Sequence, residues 1–342
     1  MTGGSCGPDF RSGPEGACKL YDHIRGQDNA IARLKTLRRL GRVAHAYLFT
    51  GPPGVGKDTT AKAFAGALLC EAGSETGAAC GLCRQCRLFY GAAHPDLHLV
   101  APEGASIGID QIRHVNAAVS RKPYNRRHVV VINAADLCTD QAQNAFLKTL
   151  EEPPGAVVFI LVSDRAEALL PTVLSRCCEV KFRRLKPEMV AEELVKRHDV
   201  PPAEAKAVAA LAGGSIGRAL ELHSPETAAL RKKVLALAAS PALARVNDKT
   251  LFTSRAEVWQ WLDFMSLWYR DLLLYRLTGD AGLVVNTDYL QEIQKAAYAA
   301  PQLLGAVEAV ETGKKMLRAN VHQRLVMEGL TARLASILTK AR

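Results

Sequence analysis

Gly51-Pro52-Pro53-Gly54-Val55-Gly56-Lys57 has the residue types and spacing of a phosphate-binding loop. In such a loop glycines let backbone N–H groups approach phosphate oxygens, and the terminal lysine reaches the outer ones. Turnover of a bound nucleotide needs two further groups, a hydroxyl beside the lysine to hold Mg²⁺ and an acidic pair at the end of a neighbouring strand. Neither stands where it is expected. Asp58 takes the hydroxyl position, where its carboxylate adds like charge beside phosphate, costing up to about 4 kcal/mol at about 4 Å and surface-like dielectric. The apolar run Val129-Val130-Val131-Ile132 ends in Asn133-Ala134, so the metal gains no charged ligand and no carboxylate polarises water. Gly51, Gly54, Gly56 and Lys57 are therefore candidate contacts to ATP and Mg²⁺ in a site that either holds nucleotide without turning it over or has lost it. A weak ATPase built from Lys57, Asp58 and Asp136 is a second reading. A P-loop kinase with a small phosphoryl acceptor is a third, but it leaves the helical last third of the chain without a task.

Cys70, Cys80, Cys83 and Cys86 form a C-x9-C-x2-C-x2-C array. Two successive x2 spacings suit a tight turn that aims thiolates at one tetrahedral Zn²⁺. Disulfides and an iron–sulfur cluster are the competing readings. Four thiolates close the coordination shell, so zinc here would fold the loop from Glu71 to Arg87 and do no chemistry. Cys6, Cys18, Cys138, Cys177 and Cys178 read as small apolar fillers or tail residues.

The elements that must position these groups follow from the apolar pattern. A strand at Ala46–Phe49 precedes the glycine loop and a helix-forming stretch, Thr59–Leu69, follows it, as the motif requires. Strand and helix signals alternate from Tyr21 to Phe182, the signature of a parallel α/β sheet. The run at Val129 leads to a helix from Asp140 to Leu150, capped by Thr139 or Asp140 and stopped by Glu152-Pro153-Pro154-Gly155. Val157–Val162 is apolar throughout, which predicts a central strand. From Lys186 onward only helices are expected, with a boundary at His223-Ser224-Pro225. Val258, Trp261, Leu262, Met265, Trp268, Leu272 and Tyr275 trace one face of a long helix, and Leu317, Val321, Leu325, Glu328 and Ala332 a similar stripe in the final one.

Composition bounds the class. The chain has 342 residues, 48% of them hydrophobic, and a net charge of +10. That balance predicts a soluble protein of two or three domains and permits an anionic partner such as nucleic acid. No apolar run approaches a membrane span, and the Gly- and Ser-rich start is not a secretory signal, so a cytoplasmic location with no membrane partner is expected.

Gly51–Lys57, the cysteine array, Asn144-Ala145-Phe146-Leu147-Lys148-Thr149-Leu150-Glu151-Glu152-Pro153-Pro154 and Ser175-Arg176-Cys177 occur in one order. Together they resemble bacterial clamp-loader ATPase subunits of the AAA+ class, over roughly Tyr21 to Arg342. The Gly- and Ser-rich start reads as a disordered tail at 1–20, and the resemblance implies an AAA+ P-loop domain at 21–183 with a zinc loop at 70–86, a helical lid at 184–224 and a helical collar at 225–342, in which Asn320–Leu330 is typical. Of the family's branches, the tau/gamma motor keeps the acidic pair and the delta-prime branch often loses it, so Asp58 and Asn133-Ala134 group this chain with delta-prime. A hydrolysing subunit of the tau/gamma type is the alternative.

By the same resemblance Arg176 is an arginine finger, presented in trans to a neighbour's ATP. The implied partners are tau/gamma and delta subunits in a hetero-pentamer, the sliding clamp and primer–template DNA. Spacing alone would leave Arg176 a structural arginine. The family's second sensor has Gly-Ser-x-Arg, whereas here the matching position is Gly217, with Arg218 about 100° further round the helix. The first sensor region, near Ser163-Asp164, also lacks a clear polar match. Arg121, Lys122, Arg126 and Arg127 around Pro123-Tyr124, and Lys181, Arg183, Arg184 and Lys186, are two basic loops that read first as solvated surface; the resemblance, in which the assembled ring tracks primer–template through its backbone, offers phosphate contacts as the other reading.

Overall fold

The computed structural model describes residues 20–72, 76–238 and 254–339. The expected tail at 1–20, with Cys6 and Cys18, lies outside them except for Leu20. Two compact units are present: one runs to Met189 and takes in Gly214–Gly217, and the other comprises Val190–Gly213 and the residues from Arg218 onward.

Five parallel strands build the first unit: β1 Ala46–Thr50, β2 Leu97–Val100, β3 His128–Ile132, β4 Val157–Ser163 and β5 Cys178–Lys181, in the order β2-β3-β4-β1-β5. β4 is central, as its unbroken apolar run predicts, and all seven of its residues are buried. Helices in this unit are α1 Asp28–Arg39, α2 Lys57–Leu69, α3 Arg84–Tyr90, α4 Ile109–Val119, α5 Asp140–Glu151 and the single turn α6 Pro171–Leu174. Ile112, Val115, Phe146 and Leu150, spaced three or four apart on α4 and α5, pack with Val130, Ile132, Phe159 and Leu161 of the sheet into one core. Because all strands are parallel, the segments after β1, β3 and β4 emerge at the same carboxyl edge, where ligands of open α/β sheets bind.

Helices alone form the second unit: after α7 Pro187–His198, which starts in the first, come α8 Pro202–Ala212, α9 Ile216–His223, α10 Pro225–Ala238, α11 Arg255–Thr278, α12 Leu290–Lys295, α13 Ala300–Arg318 and α14 Gln323–Thr339. The apolar face expected of α11 is realised as far as Leu272, with Val258, Trp261, Leu262, Met265, Trp268 and Leu272 buried and Tyr275 only partly so. α11 packs on α13, and α13 on α14.

The stripe expected in the last helix is not realised. Leu317 lies in the last turn of α13, the chain turns through Asn320 at φ 60°, and α14 begins only at Gln323. That break resets the helical phase, so Val326, Met327, Leu330 and Leu334 are buried, while Leu325 is 62% exposed and Glu328 pairs with Arg324 at the surface. No helix among the described residues is long and apolar enough to cross a membrane.

Candidate functional site

Between β1 and α2 the glycine loop takes its expected place, and its glycines answer local requirements. Gly51 has φ 146°, and a Cβ there would lie 2.4 Å from the Phe182 carbonyl oxygen. Gly56, at φ 96°, turns the chain into α2. The lysine is engaged by the loop itself. Lys57 is 4% exposed, and its Nζ donates to the carbonyl oxygens of Gly51 and Pro52 at 2.6 Å each. It also forms an ion pair at 2.7 Å with Asp164, the residue after β4. The loop's own carbonyls and a neighbouring carboxylate thus occupy the positions of the ammonium where phosphate oxygens would compete.

The neighbouring acidic groups are engaged as well. Asn133, at the end of β3, donates from Nδ2 to Asp58 Oδ1 at 2.6 Å, and Asp58 pairs with Lys62 at 2.7 Å. Asp136 accepts from Ser163 Oγ and from the Asp164 N–H, and pairs with Arg165 at 3.3 Å. Asp58 and Asp136 therefore engage different partners, Asp58 the Asn133 amide and Lys62, Asp136 the Ser163–Arg165 segment. The Ser163-Asp164 region, which lacks a clear polar match to the first sensor, supplies the counter-charge to Lys57. No motif signals that pairing, because it depends on β4 lying beside β1.

At the position matching the second sensor, the Gly217 N–H donates to the Gly54 carbonyl at 3.0 Å. A Cβ on Gly217 would come within 2.9 Å of the Gly54 Cα, so a side chain there displaces the loop. Arg218 is directed elsewhere and pairs with Asp263 at 3.2 Å.

Arg176 follows α6, a turn started by Pro171 at its N-terminus. Gln143, buried on α5, secures the approach to α6 by donating to the Cys138 and Ala168 carbonyls and accepting the Leu170 N–H at 2.7 Å. Cys177 packs against the core, its thiol pushed up to about 12 by burial and then by Cys178. The Arg176 guanidinium is held at the surface, donating to the Thr172 carbonyl at 2.8 Å and pairing with Glu151 at 2.6 Å. Glu151 is part of the stretch before Pro153-Pro154, so the two motifs meet in space.

The four cysteines converge. All four Sγ atoms lie within 4.8 Å of one another, with Cys70–Cys83 and Cys80–Cys86 each at 3.9 Å. A tetrahedron of sulfurs about 2.3 Å from a central zinc has edges of about 3.8 Å. Disulfide spacing is excluded at these distances. N–H groups of Cys80, Cys83 and Cys86 each point at the preceding sulfur at 3.4 Å. Burial opposes the Cys83 thiolate, but the Cys86 and Glu71 N–H groups outweigh it and draw its pKa down to about 7. Burial raises Cys70 and Cys86. Among the described residues this is the one cluster of three or more metal-ligating side chains, and the set suits one ion such as zinc.

The sequence model of the family described as "DNA polymerase III, delta subunit" matches residues 26–186. A DNA polymerase III subunit delta' of Bacillus subtilis is 32% identical over 306 residues, covering 86% of this chain and 91% of the relative. The subunit delta' of Pseudomonas aeruginosa is 32% identical over 311 residues, covering 86% and 92%. A DNA polymerase III subunit gamma/tau of Mycobacterium tuberculosis is 33% identical over 178 residues, 52% of this chain and 31% of the relative. Among solved structures, a gamma subunit-related protein of Thermotoga maritima superposes with a TM-score of 0.43 at 20% identity, covering 89% and 98%.

Proposed function

The chain belongs to the DNA polymerase III delta' subunit family, and from that premise we propose that it is a non-hydrolysing clamp-loader subunit acting on a neighbour's nucleotide. The observation that supports this reading best is the closed phosphate loop. An ammonium already satisfied by two carbonyls and a carboxylate gains little from phosphate, and binding it would also require breaking the ion pair with Asp164.

Arg176 is the active element in this reading. Its guanidinium sits on a supported turn at the surface, is charged at any physiological pH, and can fork onto two phosphate oxygens. Exchanging Glu151, which is held through Nη2 alone, for a neighbour's γ-phosphate replaces one oxyanion partner by another. Arginine fingers of this type contribute about 10³–10⁵ in rate. The cysteine set holds one structural zinc, closed to substrate, and the helical second unit joins the chain to tau/gamma and delta subunits in a cytoplasmic hetero-pentamer that places the sliding clamp on primed DNA.

Reconstitution of the complex with Arg176→Ala tests the proposal. Assembly is expected to persist while DNA-stimulated ATP hydrolysis falls by at least 100-fold. Unchanged hydrolysis removes the finger role. Brisk ATP turnover by the isolated chain, lost with Lys57→Ala, would instead establish a motor of the tau/gamma type.

A further inference from the structure

At the amino-terminal edge of the sheet, opposite the phosphate loop, the segment joining α4 to β3 carries Arg121, Lys122, Arg126 and Arg127 around Tyr124. Among the described residues none of these four cations makes an ion pair. Arg127 is half-buried, its Nε lacks a hydrogen-bond partner, and burial and then the charges of Arg38 and Arg126 hold its pKa below the ordinary value. Like charges gathered with no carboxylate in ion-pair contact carry a cost that an anion relieves.

Two separate braces hold this loop open. Asp96, 1% exposed, accepts the Tyr124 and Asn125 N–H groups at 2.7 and 2.8 Å, and His128 Nε2 lies 3.0 Å from the Arg121 carbonyl. Both Asp96 oxygens are therefore spent on the backbone. From the other side, Cys83 caps α3, and the next residue, Arg84, lays its guanidinium 5.6 Å from the Tyr124 ring centre. Tyr124 remains 53% exposed within this frame. Glu71 of the cysteine loop accepts from Gln85 at 2.9 Å.

We propose that this face binds single-stranded nucleic acid, with Arg121, Lys122 and Arg126 tracking phosphates and a base stacking on Tyr124. An exposed ring among unpaired cations is the combination that single-strand sites use, because every base has a π-face and every nucleotide a phosphate. A duplex offers phosphates but keeps its bases stacked, so the ring is idle there. The contact is distinct from the proposed finger and does not depend on it.

Fluorescence anisotropy of labelled oligothymidylate and oligouridylate with the full chain, over a KCl series, tests the site. Tyr124→Ala is expected to weaken binding about 5- to 150-fold, the equivalent of one stacked base, while Tyr124→Phe retains it. The Asp96 bonds use the backbone N–H, so both variants keep the loop's anchor. Lys122→Ala and Arg126→Ala are each expected to flatten the log–log salt slope by about 0.7. Tyr124-dependent binding of either strand supports the proposal, and the ratio of the two distinguishes DNA from RNA. Unchanged affinity in Tyr124→Ala, or equal binding of a duplex, overturns it.

Discussion

Lys57→Ala is the perturbation that separates a closed phosphate loop from a working one, because the two readings predict different observables. The Lys57 ammonium makes hydrogen bonds of 2.6 Å to Gly51 and Pro52 and an ion pair of 2.7 Å to Asp164. Hydrogen bonds to a charged group contribute about 1.5–3 kcal/mol each, and breaking a buried pair costs about 3–5 kcal/mol. Asp164 is 47% exposed, so water re-solvates its carboxylate and that contribution shrinks toward the value of about 0–1 kcal/mol for surface pairs. Relief of the buried ammonium's desolvation offsets part of the remainder, leaving a net destabilisation of about 2 kcal/mol. For a unit of this size each kcal/mol shifts the thermal midpoint by about 2–4 °C, so a fall of about 4–8 °C is expected.

Differential scanning fluorimetry with and without millimolar ATP and Mg²⁺ measures both effects. Wild type is expected to show no ATP-dependent rise, and Asp164→Asn a smaller fall than Lys57→Ala. A functional site at about 100 times Kd would instead stabilise wild type by about 2.7 kcal/mol. If ATP raises the wild-type midpoint, and Lys57→Ala abolishes that rise while leaving the apo midpoint unchanged, the closed-loop reasoning is wrong.

Two other outcomes follow from the geometry. Atomic absorption is expected to give about one zinc per chain, lost with Cys83→Ser. Affinity should decline on acidification, since the thiolates must be deprotonated to bind, and metal-free wild type would refute the assignment. Burial holds His94 and His98 below their ordinary pKa, His98 additionally through His128. Because the unfolded chain takes up protons below about pH 6.5 that the folded chain does not, stability should fall from pH 7.5 to 5.5. His98→Gln should flatten the profile of thermal midpoint against pH, and an unaltered profile would exclude that histidine as a source.

The sequence by itself determined what local chemistry fixes. Apolar runs at Ala46, Val129 and Val157 specify buried parallel strands because both faces of each are covered, and the glycines specify a loop in which a Cβ at 51 has no room and the backbone at 56 takes a positive φ. The two x2 cysteine spacings dictate a convergent turn, since the ligands lie within a few residues of one another. Tertiary structure alone decided the rest. Pairing of Lys57 with Asp164 and of Arg176 with Glu151 joins residues far apart in sequence, and the first of these requires β4 to lie between β1 and β3. The failed stripe in α14 has the same origin: one left-handed residue, Asn320, resets the helical phase, and the buried face is then chosen by packing on α13. Periodicity records which residues are apolar, but the neighbour an element meets decides which of them are buried and which charges are spent.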